Sequence, residues 1–364
     1  MTDLVASIRA DTVVLPLPAP LRLGAMTIEA REYATVRVET ESGLTGKAYC
    51  LTRNAPVAAM VDRLVAPYVV GCDAGAIREL WDGCIRANVT VARTGLARRA
   101  LGLVDVALWD LAAQRAREPL FRRLGAEPPA VPVILVAAYP VADASPEELA
   151  DAVLAYARQG YRLLKVARSA DSAFMRRWLQ LVEAKLPASA RLIVDVAYAW
   201  PDADTALREC AEWGTEELAW LEDPLVPEDV EGLTRLRREG PYPIAVGDEL
   251  AEPLTVELLL AADAVDVLRV DTVALGGVTP VLEVLDRAAA AGTPVSFHIF
   301  PELNVHLAAL APRATVEMFD PDLPGGNPLD PWHLLSSGRL RVEDGVAAPP
   351  DGAGIGFDLL EVAA

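Results

Sequence analysis

The sequence predicts an α/β protein, a parallel barrel of eight strands behind an N-terminal α+β module. Two observations carry that prediction. From about residue 131 to residue 319, apolar β-branched runs alternate with helix-like segments. Before residue 125 the alternation is absent, and a hairpin pattern is followed by one long amphipathic stretch. The chain has 364 residues, 52% of them hydrophobic, enough for one large domain and a smaller one.

The elements follow in order. YATVRVETESGLTGKAYC, residues 33–50, reads as two antiparallel strands joined by Glu-Ser-Gly-Leu-Thr-Gly. The flanking segments 16–26 and 50–54 read as loops of the module. ARRALGLVDVALWDLAAQRAR, residues 97–117, reads as a helix with Leu101, Val104, Leu108 and Leu111 on one stripe. The barrel strands are expected at 131–138, 161–167, 191–197, 217–223, 243–249, 265–271, 294–300 and 314–319. Helical segments fill the gaps. In the first, Ser145 can cap, Pro146 suits the first turn, and Leu149, Val153 and Tyr156 share a face. Parallel strands in that number close most simply into a barrel. The Pro/Gly-rich stretch DPDLPGGNPLDP then stands where an eighth helix would begin. The division expected is 1–125, 126–322 and 323–364, with the last segment packing back on the N-terminal module.

Composition narrows the functions. A net charge of −19 opposes binding to nucleic-acid phosphates, and an anionic substrate would need a local cation. No apolar run reaches the length of a membrane span. The N-terminus lacks a basic region followed by a long apolar core, so no secretory signal is expected. Cys50, Cys72, Cys84 and Cys210 are scattered without a CxxC, as expected of reduced thiols in a cytoplasmic protein.

The chemistry sits at strand ends. Successive strands carry Lys165, Asp195, Glu222, Asp248, Asp271, His298 and Glu317 late in their runs, at intervals of 19 to 30 residues. In a parallel barrel those ends form one face, where catalytic groups gather. Asp195, Glu222 and Asp248 come from three consecutive strands and would repel one another in a low-dielectric mouth unless a cation sat among them. All-oxygen ligands favour Mg²⁺, and the absence of HExxH or a Cys/His cluster argues against zinc. Asp271 and His298 lie on adjacent strands, where the carboxylate would fix the imidazole tautomer and raise its basicity. His306 and His333 read as packing or structural residues. A metal facing a general base suggests removal of the proton α to a carboxylate. Lys165, near the end of a buried run, needs partners, and the carboxylates and an anionic substrate would supply them.

The phrases RLIVDVAYAW, AWLEDPL, IAVGDE, VDTVALGGVT, VSFHIFPELNVHLAALAP and LDPWHLLSSGRLRVEDGVAAPPDGAGIGFDLLE, with ALGLVDVALWDLAAQRAREPLFRRLGA and the hairpin before it, resemble the enolase superfamily and its mandelate racemase subgroup. The resemblance spans nearly the whole chain. It implies a modified TIM barrel, (β/α)7β, under an N-terminal α+β capping domain, and a homo-oligomer. It places Asp195, Glu222 and Asp248 on metal-ligand positions, Asp271 and His298 on the His–Asp dyad, and Glu317 on a substrate carboxylate oxygen. The sixth-strand lysine of the muconate-lactonising branch is absent, since Thr272, Val273 and Ala274 follow Asp271. Two departures stand out. The second-strand Lys-x-Lys becomes Lys165-Val166-Ala167, which loses the base on the other substrate face. The third-strand Asp-x-Asn becomes Asp195-Val196-Ala197, with Tyr198 after it. Arg168 points by strand alternation to the opposite face.

One base suffices for dehydration when proton and β-hydroxyl leave from the same side. The expectation is therefore Mg²⁺-dependent dehydration of a hydroxy acid, an acid sugar, to a 2-keto-3-deoxy acid. The catalytic set is His298, Asp271 and Lys165, and Glu317, Tyr198, Arg53 and Arg22 are substrate-binding candidates. The alternatives are a racemase or epimerase with Lys165 as second base, and a binding protein of the same fold that has lost catalysis.

Overall fold

The structure is a computed structural model and describes residues 2–23, 26–127, 130–140, 144–215, 217–320, 322 and 329–360, without the side chains of Ala19, Arg22, Leu23 and Met26. Three antiparallel strands, β1 (Val5–Leu23), β2 (Met26–Thr40) and β3 (Thr45–Leu51), form the N-terminal sheet in that order. β2 and β3 are the expected hairpin. Segment 16–26, expected as a loop, is instead strand as far as Leu23. Pro16, Pro18 and Pro20 disguise it, but β1 is an edge strand where a missing N–H breaks no ladder. Its register slips between Pro16 and Leu21.

The long helix, Gly95–Ala116, buries the predicted stripe and also Arg98, Arg99, Asp105 and Asp110. It is pressed between the sheet and the barrel, so both faces are covered. A β-carbon on Gly46 would lie 2.0 Å from Ala107 O, and one on Gly102 would lie 2.3 Å from Val273 O. Asp105 accepts hydrogen bonds from Thr279 N (2.9 Å) and Thr279 Oγ1 (2.6 Å), capping barrel helix Val278–Ala291.

Eight strands close the barrel: β4 (Val131–Ala138), β5 (Leu163–Ala167), β6 (Arg191–Asp195), β7 (Trp220–Glu222), β8 (Ile244–Val246), β9 (Val267–Val270), β10 (Val295–Phe297) and β11 (Thr315–Met318). All neighbours are parallel, and β11 pairs back with β4. Among the described residues a helix fills each of the seven gaps, the first opened by a capping box between Ser145 and Glu148. Most strands are shorter than their apolar runs because the chain bends outward where the polar residues begin. Inside, Ile134, Ile193, Trp220 and Ala245 form a separate apolar cluster, with Leu163 and Val267 against it. This cluster is the dry floor under the polar mouth.

The tail touches both parts. β12 (Val342–Glu343) and β13 (Val346–Ala347) form a hairpin, and β13 pairs antiparallel with β4. Gly354 O accepts from Leu120 N at 2.9 Å, and Lys47 pairs with Asp358. The stretch 320–331 lies largely outside the described residues. No helix among the described residues is long and apolar enough to cross a membrane.

His306 has the packing role expected of it. Its Nδ1 accepts from Phe121 N (3.2 Å), its Nε2 donates to Ile355 O (3.0 Å), and its ring stacks on Phe121. Burial drives its pKa from 6.5 down to about 4, against the Ile355 carbonyl. Folding therefore favours the neutral ring. The stability this confers is present above pH 6.5 and is lost as pH falls from 6.5 through 4, on the order of 3 kcal/mol in all. Urea midpoints at pH 7 and pH 4.5 should fall more steeply for the wild type than for His306→Gln; equal slopes would refute this account.

Candidate active site

Seven barrel strands, β5 to β11, deliver the predicted residues within two positions of their C-terminal ends. Neighbours in register bring Ala167 beside Asp195, and Asp195 beside Glu222. The turns that follow are unusual. Ala197 (φ +51°), Tyr198 (+60°), Asp223 (+44°), Glu249 (+60°), Ile299 (+41°) and Phe300 (+47°) all lie in the left-handed region. For β-branched Ile299 this is a true outlier. The effect is to turn the chain away within a residue or two of Asp195, Glu222, Asp248 and His298, leaving those side chains aimed inward.

Lys165 stands in the centre of the mouth, fully buried. Its Nζ donates to Glu222 Oε1 (2.6 Å) and Glu317 Oε2 (2.8 Å) and lies 3.5 Å from Asp195 Oδ2. Burial disfavours its charge, but Glu222, Glu317 and Asp195 outweigh that and raise its pKa well above the ordinary lysine value. Glu222 moves the other way from most paired carboxylates. Burial pushes it up to about 7, with Arg269 and Lys165 opposing and Asp248 adding to the rise. Asp195 is also raised, by burial first, against Lys165 and with the charge of Asp248. Asp248 is burdened by burial but held well below the carboxylate range by Arg269, His298 and Lys165.

The oxygens of Glu222, Asp248 and Glu317 lie within 4.8 Å of one another, and Asp195 falls outside that group. A second such group is Glu249, Asp271 and His298. His298 Nδ1 lies 3.2 Å from Asp271 Oδ2, and its Nε2 lies 3.5 Å from Asp248 Oδ2. Asp271 is itself fixed, accepting from Ala274 N at 2.9 Å. Burial lowers the His298 pKa, but the charge of Asp248, the bond to Asp271 and the charge of Glu317 lift it to about 9.

The N-terminal module roofs this mouth. A cavity of about 310 Å³ is lined from below by Lys165, Asp195, Asp248, His298 and Glu317 and from above by Arg31, Leu51 and Arg53, a size suited to a small molecule. Arg53 donates to Glu249 Oε1 through Nε (2.8 Å) and Nη2 (2.5 Å). Arg99 also binds Glu249 and donates to Leu51 O at 3.1 Å. Arg53 is therefore a strap between module and barrel before it is anything else. Tyr198 lines the cavity, but its hydroxyl donates to Asp248 O. The side chain of Arg22 lies outside the described residues. Arg168 turns away as alternation requires, donating to Glu209 (2.7 Å) and lying over Trp200.

Sequence reasoning overlooked Arg269, Arg99, Glu249, Arg31 and Tyr139. Arg269 is completely buried and donates to Asp248 Oδ1 at 2.7 Å. Its signal was available: it precedes Asp271 by two residues, so strand alternation puts both on one face.

The donor set fits a divalent cation. Four carboxylates, Asp195, Glu222, Asp248 and Glu317, face the fixed cations Lys165 and Arg269, with His298 3.5 Å from Asp248. The buried carboxyls that remain under-compensated are those whose pKa is raised, and all donors are hard oxygens.

Comparison with known proteins agrees with this architecture. Residues 148–363 match the family described as enolase C-terminal domain-like, and residues 7–125 match the mandelate racemase / muconate lactonizing enzyme N-terminal domain. A 3,6-anhydro-alpha-L-galactonate cycloisomerase from Streptomyces coelicolor is 32% identical, covering 96% of each chain. An L-talarate/galactarate dehydratase from Salmonella typhimurium is 28% identical over 99% of this chain and 90% of its own. The structure of L-talarate dehydratase from Polaromonas sp. JS666, complexed with Mg and L-glucarate, superposes with a TM-score of 0.88 at 28% identity, covering 99% of this chain and 96% of that one. With both parts of the chain matched and the barrel mouth built as described, the protein belongs to the enolase superfamily, in its mandelate racemase subgroup.

Proposed function

We propose that this protein is a Mg²⁺-dependent acid-sugar dehydratase that forms 2-keto-3-deoxy acids. The observation that carries the reading is one His–Asp pair beside a carboxylate cluster, with Ala167 where a second base would stand. Relatives named as dehydratases, and solved neighbours with Mg and L-glucarate bound, support it. Asp195, Glu222 and Asp248 are the proposed ligands; the oxygens of Glu317 cluster with those of Glu222 and Asp248 but not with Asp195. When bound, Mg²⁺ supplies the positive charge that lets the α-hydrogen of a carboxylate leave as a proton.

The chain does the rest. Lys165 presents its ammonium to the substrate carboxylate. Asp248 and Glu317, whose charges lift His298, stand in and beside the proposed ligand set, so an ion held there would offset much of that lift and leave the imidazole able to act as base. His298 Nε2 then takes the α-proton. Asp271, on Nδ1, holds the tautomer and stabilises the imidazolium. The same Nε2–H delivers the proton to the departing β-oxygen on the same face.

Racemisation through Lys165 is the weaker reading. Its ammonium is held by two short contacts to Glu222 and Glu317, and Ala167, two residues on, offers no base on that face. A cyclic substrate is the second reading worth testing, since a relative sharing 32% identity is a cycloisomerase. Expulsion of a β-ring oxygen needs the same single base as expulsion of a β-hydroxyl. We further propose a cytoplasmic location, in keeping with four free cysteines, and a homo-oligomer, as the family resemblance implies.

The test is a panel of mono- and diacid sugars and anhydro-sugar acids with MgCl₂, read as 2-keto acid. At least one should turn over, and EDTA should abolish the signal. Exchange of the α-hydrogen for solvent deuterium without elimination would favour an epimerase. Mg²⁺ binding with no turnover of any substrate would favour a binding protein.

A further inference from the structure

Arg269 occupies an unexpected place. It lies on β9 with its guanidinium wholly buried among the proposed metal ligands. Nε donates to Asp248 Oδ1 (2.7 Å) and Nη2 to Asp248 Oδ2 (3.2 Å), a two-pronged grip on one carboxylate. The same Nη2 donates to Glu317 Oε2 and lies 3.2 Å from Glu222 Oε1. It thus meets all three members of the carboxylate group whose oxygens cluster within 4.8 Å. The other prong is anchored: Nη1 donates to Ser296 Oγ (2.7 Å), which accepts from Thr315 Oγ1 (2.9 Å). Both anchors lie on adjacent strands, so the guanidinium is not free to withdraw into solvent.

We propose that Arg269 is a resident counter-cation that competes with the divalent ion for Asp248 and Glu222. Its occupancy holds the metal-free cluster together and weakens metal binding. The inference rests on the reading that these carboxylates carry Mg²⁺. Its physical basis is simple. Guanidinium keeps its charge at any accessible pH. Both oxygens of Asp248 already accept from it, so an ion engaging that residue must share them. A fixed positive charge at that range also repels an incoming one in a weakly screened site. The metal-free protein, in turn, depends on Arg269 to offset carboxylates that would otherwise repel.

The test compares wild type with Arg269→Met and Arg269→Lys, using calorimetric titration of MgCl₂, Mn²⁺ binding followed by electron paramagnetic resonance, and thermal melts with and without MgCl₂. Arg269→Met should bind either ion at least tenfold more tightly than wild type. Its metal-free melting temperature should fall, and MgCl₂ should raise it by more than it raises the wild type. Folding of Arg269→Met only in the presence of MgCl₂ would also support the proposal. If that variant is insoluble in both conditions, Arg269→Lys decides. It keeps the charge but loses the fork, and should bind at least threefold more tightly. Unchanged or weaker binding in the deciding variant, with wild type binding normally, overturns the proposal and leaves the metal reading intact. Failure of wild type and variants alike to bind either ion overturns both.

Discussion

Replacing His298 with asparagine is expected to slow turnover of the acid sugar by about 10²- to 10⁴-fold, the range that a positioned acid–base group supplies. The amide can keep a donor near Asp271 but cannot take up a proton. With α-proton removal and β-oxygen protonation assigned to the same Nε2, neither of the second-strand positions facing it is placed to replace it. Lys165 is held by Glu222 and Glu317, and Ala167 has no polar atom. Mg²⁺ affinity, measured by calorimetry, should be kept or rise, because an ion at Asp248 would no longer have to displace the proton of an imidazole 3.5 Å away. A His298→Asn enzyme within tenfold of wild type would sink the assignment of the base.

The second large effect concerns folding as much as activity. Lys165→Met should abolish turnover and destabilise the metal-free protein by about 3–5 kcal/mol, the cost of removing one partner from a buried ion pair. The lysine is 1% exposed, and its ammonium serves both Glu222 and Glu317. Methionine fills the space without the charge, so the loss reports electrostatics rather than a cavity. Urea unfolding at pH 7 would read it, and MgCl₂ should restore part of it. A loss below about 1 kcal/mol would show that the two carboxylates are neutral or otherwise compensated, which the short contacts argue against.

The sequence made one kind of information plain and hid another. The ladder from Lys165 to Glu317 was readable because each member ends an apolar run and the spacing repeats with the βα unit. Arg269 was hidden inside the run VDVLRVD, where a charge looks like an interruption rather than a second rung on the Asp271 face. Edge strand β1 was hidden by its prolines. The Arg53–Glu249 and Arg99–Glu249 contacts join residues 196 and 150 positions apart, and no local pattern announces them. The cap helix showed one apolar stripe in sequence, yet its buried arginines and aspartates acquire partners only when the barrel is placed against it.

The left-handed turns that follow the strand ends bear on how such a site changes over generations. A non-glycine residue held in that conformation costs about 1–2 kcal/mol, and the rim carries several of them. At Ala197 the replacements that fit the backbone better, asparagine and glycine, also alter the wall of the cavity. A replacement there would relieve the backbone and reshape the cavity wall at once. At Ile299, next to His298, the bulky residue is kept in an unfavourable shape, and relaxing it would loosen the base. The rim is thus divided into positions open to drift and positions held under tension, and selection on new substrates would be expected to draw first on the former.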